Sequence, residues 1–181
     1  MGREILIESY TDTWIGDYNQ SETTLKTIFN SQLIDIQHIG STSIVGLASK
    51  PTIDILIIVK DIDVIDELNE PMAEYGYISK GEAGIEGRRY FYKTLDTDVF
   101  KETHHIHVYG DGNPKYQEEL LFRDYLRINN KMMREYEDLK IALAVKYKDD
   151  PRLYTEAKAS FIQETIKMAR VHYKKATLEN D

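Results

Sequence analysis

The feature that most constrains this fold is Thr52–Val59, TIDILIIV, a run of β-branched and apolar residues broken by a single carboxylate, Asp54. Such a run reads as a buried central strand, because both of its faces must be covered by other parts of the chain. Leu33–Ile39 alternates imperfectly between apolar and polar, as a partly covered strand does, and residues 4–8, 88–94 and 104–109 read as further strands. Asp17 or Ser21 is the expected cap of a helix running to about Asn30, with Leu25, Ile28 and Phe29 as its apolar stripe. A second helix, capped by Asp61 or Asp63, is expected to kink or restart at Pro71 and to end at Gly76.

From Pro114 onward the pattern changes to three helical stretches, about 114–129, 131–148 and 152–172, with Pro114 and Pro151 at starts where a missing N–H costs least. Mixed strand and helix followed by a run of helices predicts an α+β fold. It is a mixed β-sheet with helices packed on one side and a helical C-terminal part, 114–175, all in a single domain spanning 1–181.

Composition narrows the function. The chain carries a formal charge of −8 and has 41% hydrophobic and 30% charged residues, ordinary for a globular protein. Residues 1–75 hold 4 basic and 13 acidic side chains, whereas residues 76–181 hold 19 and 18. That balance speaks against broad binding to a nucleic-acid backbone and leaves a small phosphorylated ligand, met by a local cluster of cations. No apolar run is long enough to span a bilayer, and MGREILIES has no signal-peptide plan. The absence of cysteine removes disulfides and thiolate chemistry and fits a cytoplasmic location.

Chemistry concentrates before and within the central strand. Gly40 permits a close backbone approach or a conformation closed to other residues, and Ser41, Thr42 and Ser43 follow with hydroxyls and N–H groups suited to phosphate oxygens. An ordinary Ser/Thr turn is the alternative. The stretch is not a Walker loop, since Lys50 is followed by Pro51. Asp54 lies near the strand's start, where a buried carboxylate needs a partner; a divalent metal is one and Lys50 or an arginine is another.

Further along, His105 and His107 share one face of a strand, so with Asp54 they could form a two-His-one-carboxylate set for a metal; a polar seam of hydrogen-bonded histidines is the alternative. Tyr109 stands where a histidine-triad hydrolase would carry its third histidine. Lys140 and Lys158 fall inside apolar helical stripes, so each must snorkel, pair with an acid or meet an anion. Arg123, Arg127, Lys131 and Arg134 would line one face of an unbroken helix, most simply a solvated row paired with Glu118, Glu119 and Asp124.

A Gly-Ser step followed by a strand acid resembles the nucleotidyltransferase superfamily with the polymerase-β-like fold. More closely, HIGSTSIVGLASKPTIDIL resembles the signature of the GrpB family. The likeness also takes in Tyr10, Trp14, Gly76-Tyr77, Gly87-Arg88-Arg89-Tyr90-Phe91, His105-Ile106-His107, LLFRDYLR at 120–127, Tyr136 with Lys140, and Tyr154 with Lys158 and Phe161-Ile162.

The resemblance implies a protein that binds a nucleotide or other phosphorylated small molecule, with Gly40, Ser41, Thr42 and Ser43 cradling phosphate. Lys50, Arg123, Lys140 and Lys158 would offset its charge. If the protein is catalytic, a divalent metal, Mg or Mn, would support nucleotidyl transfer, held by Asp54 with His105 and His107 as further ligands or acid/base groups. Two departures stand out: Leu56 occupies the place of the superfamily's second strand acid, and Ile44-Val45-Gly46 replaces the usual Val-Pro-Gly. They keep open a non-catalytic module, for which the family's fusions to dephospho-coenzyme A kinase imply an accessory role in coenzyme A metabolism. A His-metal phosphohydrolase is a third possibility.

Overall fold

In a computed structural model that describes residues 5–95 and 98–178, with backbone alone at 99, 100 and 175–178, the central run becomes β2, Ile53–Val59. The described sheet has five strands in the order β1-β2-β5-β4-β3, where β1 is Leu33–Ile39, β3 Tyr77–Ser79, β4 Arg88–Leu95 and β5 Asp98–Gly110. Only the β2–β5 pairing is parallel among these; β1 pairs with β2, and β4 with both β3 and β5, in antiparallel fashion. Of the strand expected at 4–8, residue 4 lies outside the described residues; the rest contributes one isolated bridge, Glu8 to Ser49.

The alternation along β2 decides where the helices go. Ile53, Ile55, Ile57 and Val59 face α1 (Thr13–Phe29) and α2 (Asn69–Glu74), in a core that also holds Trp14, Leu25, Phe29, Ile65 and Met72. Each such side chain contributes roughly 1.5–3 kcal/mol on burial. The helix starts before the expected caps because Trp14, only 3% exposed, anchors its first turn in the core. Ser21 instead lies mid-helix, with its hydroxyl 3.0 Å from His104 Nε2. The helix expected after Asp61 is divided: a 3-10 turn over Asp63–Leu68 leads into α2, with Pro71 in its first turn and Gly76 beyond its end.

The opposite face of β2 carries Asp54, Leu56 and Ile58. Leu56 and Ile58 pack with Ile39 and Tyr109, under Tyr116 and Leu120 of α3 (Pro114–Ile128). Helix α4 (Asn130–Lys146) packs Met133 and Tyr136 against Ile44 and Leu47, just beyond the Gly40 turn. The last expected helix is two, α5 (Pro151–Ala157) and α6 (Ala159–Leu178), broken at Lys158, whose backbone N–H bonds back to Thr155 and Glu156. No described helix is long and apolar enough to cross a membrane.

Arg123 fastens the helical half to the sheet. Its guanidinium donates to Gln37 Oε1 at 2.7 Å and to the His38 carbonyl at 3.0 Å, both on β1, and to Asp124 at 2.7 Å. Replacement by methionine keeps the stem and removes these charge-assisted bonds, so Arg123→Met is expected to cost about 2 kcal/mol or more in urea denaturation. Unchanged stability would show that Arg123 is not the fastening.

Candidate functional site

The parallel register places His105 beside Asp54 and His107 beside Leu56, while antiparallel β4 sets Tyr92 opposite His105 and Tyr90 opposite His107. Alternation therefore puts Asp54, His105, His107 and Tyr90 on one face, away from the main core. Tyr90 stands between the two imidazoles, its ring 5.6 Å from His105 and 5.4 Å from His107, and the Arg88 guanidinium lies over it at 4.8 Å.

The Gly40 turn is built around Asp54. Gly40 has φ +67° and ψ −174°, a backbone region open essentially to glycine alone. A Cβ there would sit 2.2 Å from Asp54 Oδ2, so the missing side chain is the space the carboxylate occupies. The hydroxyls after it divide their work. Thr42 and Ser43 are buried and spent on the backbone: Thr42 Oγ1 donates to the Thr52 carbonyl at 3.2 Å and Ser43 Oγ to that of Gly40 at 2.7 Å. Ser41 instead lies on the side of the helical half, near enough to Tyr136 to pull against the burial that raises the tyrosine's pKa. Arg127 NH2 braces the turn from outside through the Ser43 carbonyl at 2.9 Å, beside a cavity of about 450 Å³ between α1 and α4.

His105 is clamped. Its Nδ1 lies 3.1 Å from Asp54 Oδ1 and its Nε2 lies 2.9 Å from Glu102 Oε2. Burial pulls its pKa down, but hydrogen bonds and charge from the two carboxylates win and raise it to about 9. The ring is thus an imidazolium at neutral pH. For Asp54, burial pushes the carboxyl up, but the hydrogen bond and charge of His105, followed by the charges of His107 and Lys158, hold it below the usual value. His107 is held less well: its Nδ1 lies 3.3 Å from Glu119 Oε1, yet Nδ1 makes no hydrogen bond.

Glu102 was not visible in the period-2 pattern, because three residues on a strand put it and His105 on opposite faces. The register slips where Lys93 pairs with His104 and Thr94 pairs with Glu102, and this irregularity turns Glu102 back to the imidazole.

The expected lysines gather at the same end of β2. Lys140, 2% exposed, donates to the Ala48 carbonyl, and its ammonium lies 5.0 Å from the Tyr136 ring centre. Burial, then the charge of Lys158, lowers its pKa to about 7. Lys158, set at the α5–α6 break, lies 4.3 Å from the Tyr154 ring centre; burial, then the charge of Lys50, lowers its pKa to about 8 against the pull of Asp54. Gly40, Ser41, Lys140 and Lys158 therefore share the Asp54 neighbourhood, and Lys50 is near enough to Lys158 to lower its pKa. Thr42 and Ser43 hold the turn's shape, and Arg123 serves the helix–sheet contact instead of this cluster.

The metal set expected from the sequence is not assembled. A ligating imidazole must offer a lone pair, but both His105 nitrogens face carboxylates. Leu56, in the second acid's place, is fully buried among Ile39, Ile58 and Tyr109. Among the described residues no three His, Asp or Glu side chains come together around one ion. The donor set does not fit a divalent centre.

The sheet, the Gly-Ser turn and the strand acid define the nucleotidyltransferase class of fold. In the Cid1 poly(U) polymerase, solved bound to MgATP, a matching fold superposes with TM-score 0.52 at 12% identity, over 76% of this chain and 44% of that one. The model of the GrpB protein family matches residues 4–168, and the chain belongs to that family. It is 42% identical to the UPF0157 protein YqkA of Bacillus subtilis (strain 168) over 161 residues, covering 89% of this chain and 46% of that protein. The chain thus spans about half of YqkA. The crystal structure of conserved protein GrpB from Enterococcus faecalis superposes with TM-score 0.86 at 36% identity, over 93% of this chain and 99% of that one. A dephospho-CoA kinase of Mycobacterium leprae is 25% identical over 181 residues, covering 86% of this chain and 44% of the kinase.

Two outcomes test this geometry. Gly40→Ala introduces a side chain where the Asp54 carboxylate sits and where φ is positive; a loss of about 2 kcal/mol or more is expected in chemical denaturation, and a neutral change contradicts the close approach. The second concerns pH. Because the folded pKa of His105 lies above its ordinary 6.5, its stabilisation is fully present below about pH 6.5 and is lost as pH rises through about 9. The stability difference between the wild type and His105→Gln should therefore be largest near about pH 6 and shrink by about pH 10, measured by urea denaturation. A difference that does not change with pH contradicts the clamp.

Proposed function

We propose that this chain binds a nucleotide or another phosphorylated small molecule where the Gly40 turn meets the helical half. The observation that carries the reading is the pairing of two buried lysines, Lys140 and Lys158, around one carboxylate, Asp54, with burial and the charges of Lys158 and Lys50 lowering them to about 7 and about 8. Ammonium groups held this way lack the stabilising charge that a phosphate would bring, and an anion seated among them would raise their pKa values again. The Gly40–Ser41 backbone and the Ser41 hydroxyl stand at the mouth of this cluster, as oriented donors for phosphate oxygens.

Transfer chemistry has less support. A two-metal displacement needs paired acids to clamp the attacking and leaving oxygens, and β2 offers Asp54 with Leu56. A second reading keeps the fold and makes the chain an accessory domain in coenzyme A metabolism. The likeness to the Mycobacterium leprae dephospho-CoA kinase favours it. That reading expects the chain to raise the folding yield of a separately expressed dephospho-coenzyme A kinase.

Binding is tested by calorimetry with ATP and with inorganic tripolyphosphate. Because the ammonium forms bind, affinity should fall by about tenfold or more as pH rises from about 6.5 to about 9, through the values of both lysines. Lys158→Met should weaken binding by about tenfold at the lower pH and flatten the pH dependence. Absence of binding by either compound at about pH 6.5 overturns the reading.

A further inference from the structure

The charges around Asp54 bear on how a polyphosphate would be held, given the binding reading above. Relatives in fold that carry paired strand acids have carboxylates in excess, and a divalent ion is what allows such a site to accept phosphate. Here the balance is reversed. The second acid's position is taken by Leu56, at 0% exposure and enclosed by apolar side chains. The acid that remains on β2 already has a partner, since Asp54 Oδ1 is 3.1 Å from His105 Nδ1. The far side of that ring is closed by Glu102 at 2.9 Å, so the ring is fixed in place with both nitrogens facing carboxylates. Lys140 on α4, bonded to the Ala48 carbonyl and over the Tyr136 ring, and Lys158 at the α5–α6 break, over the Tyr154 ring, come from the helical half.

An ion placed at Asp54 would compete with the His105 ring for the carboxylate and would face Lys158, whose charge Asp54 already feels. Like charges in a partly desolvated cleft repel more strongly than in water. Mg²⁺ also prefers near-octahedral oxygen ligation, which a single, already bonded carboxylate does not provide. The groups needed for phosphate are nonetheless present: fixed cations and the N–H donors of the turn.

We propose that this site takes a polyphosphate without a divalent metal ion, with His105 clamped on Asp54 and Lys140 and Lys158 supplying the positive charge that an ion would otherwise bring. Both ring nitrogens of His105 are taken by carboxylates, Nδ1 by Asp54 at 3.1 Å and Nε2 by Glu102 at 2.9 Å. The ring neutralises Asp54 through Oδ1 while Gly40 covers Oδ2, and the lysines supply the charge that the phosphate meets. The ligand class is a di- or triphosphate, free or carried on a nucleoside, because the N–H donors of the turn and the two lysines can then meet different phosphate groups.

The test is calorimetric titration of the full chain with inorganic tripolyphosphate in EDTA, then with Mg²⁺ or Mn²⁺ added. Binding is expected in EDTA, and added metal should leave the affinity within about threefold or weaken it. Lys140→Met and Lys158→Met should each weaken binding in EDTA by about tenfold, with circular dichroism reporting whether the variant is folded. A metal-induced tightening beyond about threefold overturns the inference and leaves the binding reading standing. No binding under any condition overturns both. A second measurement needs no phosphate: Mn²⁺ added to the protein alone should remain free by electron paramagnetic resonance. A bound Mn²⁺ that is lost in Asp54→Asn would contradict the proposal.

Discussion

The clamped imidazole of His105 connects the parts of this molecule that would otherwise be separate. It neutralises Asp54, which stands on a strand made otherwise of Ile, Leu and Val, and it does so from β5, the strand paired in parallel with β2. With Asp54 fixed, the Gly40 turn can close over Oδ2, a contact that leaves no room for a Cβ. Ile44 and Leu47, just after the turn, pack on Met133 and Tyr136, and so join the sheet to α4 and the buried lysine on it. A half-buried carboxylate without that partner would be costly, and the ion pair is kept where its geometry also shapes a site.

Positive charge in this protein is concentrated, even though the chain as a whole is acidic at −8. Lys140 and Lys158 sit in apolar stripes whose aromatic neighbours, Tyr136 and Tyr154, offer their rings to the ammonium groups. Cation–π contact lessens the cost of desolvation without cancelling charge, so the lysines remain able to meet an anion. The break between α5 and α6 at Lys158 serves the same arrangement, because it ends one helix and starts the next at the residue that faces Asp54 electrostatically. Arg123, by contrast, spends its donors on Gln37, His38 and Asp124 and belongs to the architecture.

Much of this was legible in the sequence, for definite reasons. The β2 run, the flanking strands and the long C-terminal helices follow from hydrophobic period, and the order of Gly40, Ser41 and Asp54 pointed to the class of fold. The start of α1 was misplaced because strong capping residues, Asp17 and Ser21, lie inside a helix whose true start is set by the burial of Trp14. The three-residue β3 has no period to read. The role of Glu102 depends on a register irregularity, and that arises only when β4 and β5 pair. Grouping His105 and His107 with Asp54 on one face was right in placement. What alternation could not show is that the His105 nitrogens are occupied from both sides.

The arrangement around Asp54 depends on His105 acting as a fixed cation. The most direct measurement is long-range proton–nitrogen NMR of the His105 ring across pH. Both ring nitrogens should be protonated at neutral pH, with a midpoint near about 9, and the midpoint should fall in Glu102→Gln. A ring that is already neutral at neutral pH, with one nitrogen unprotonated and available as a ligand, would contradict it.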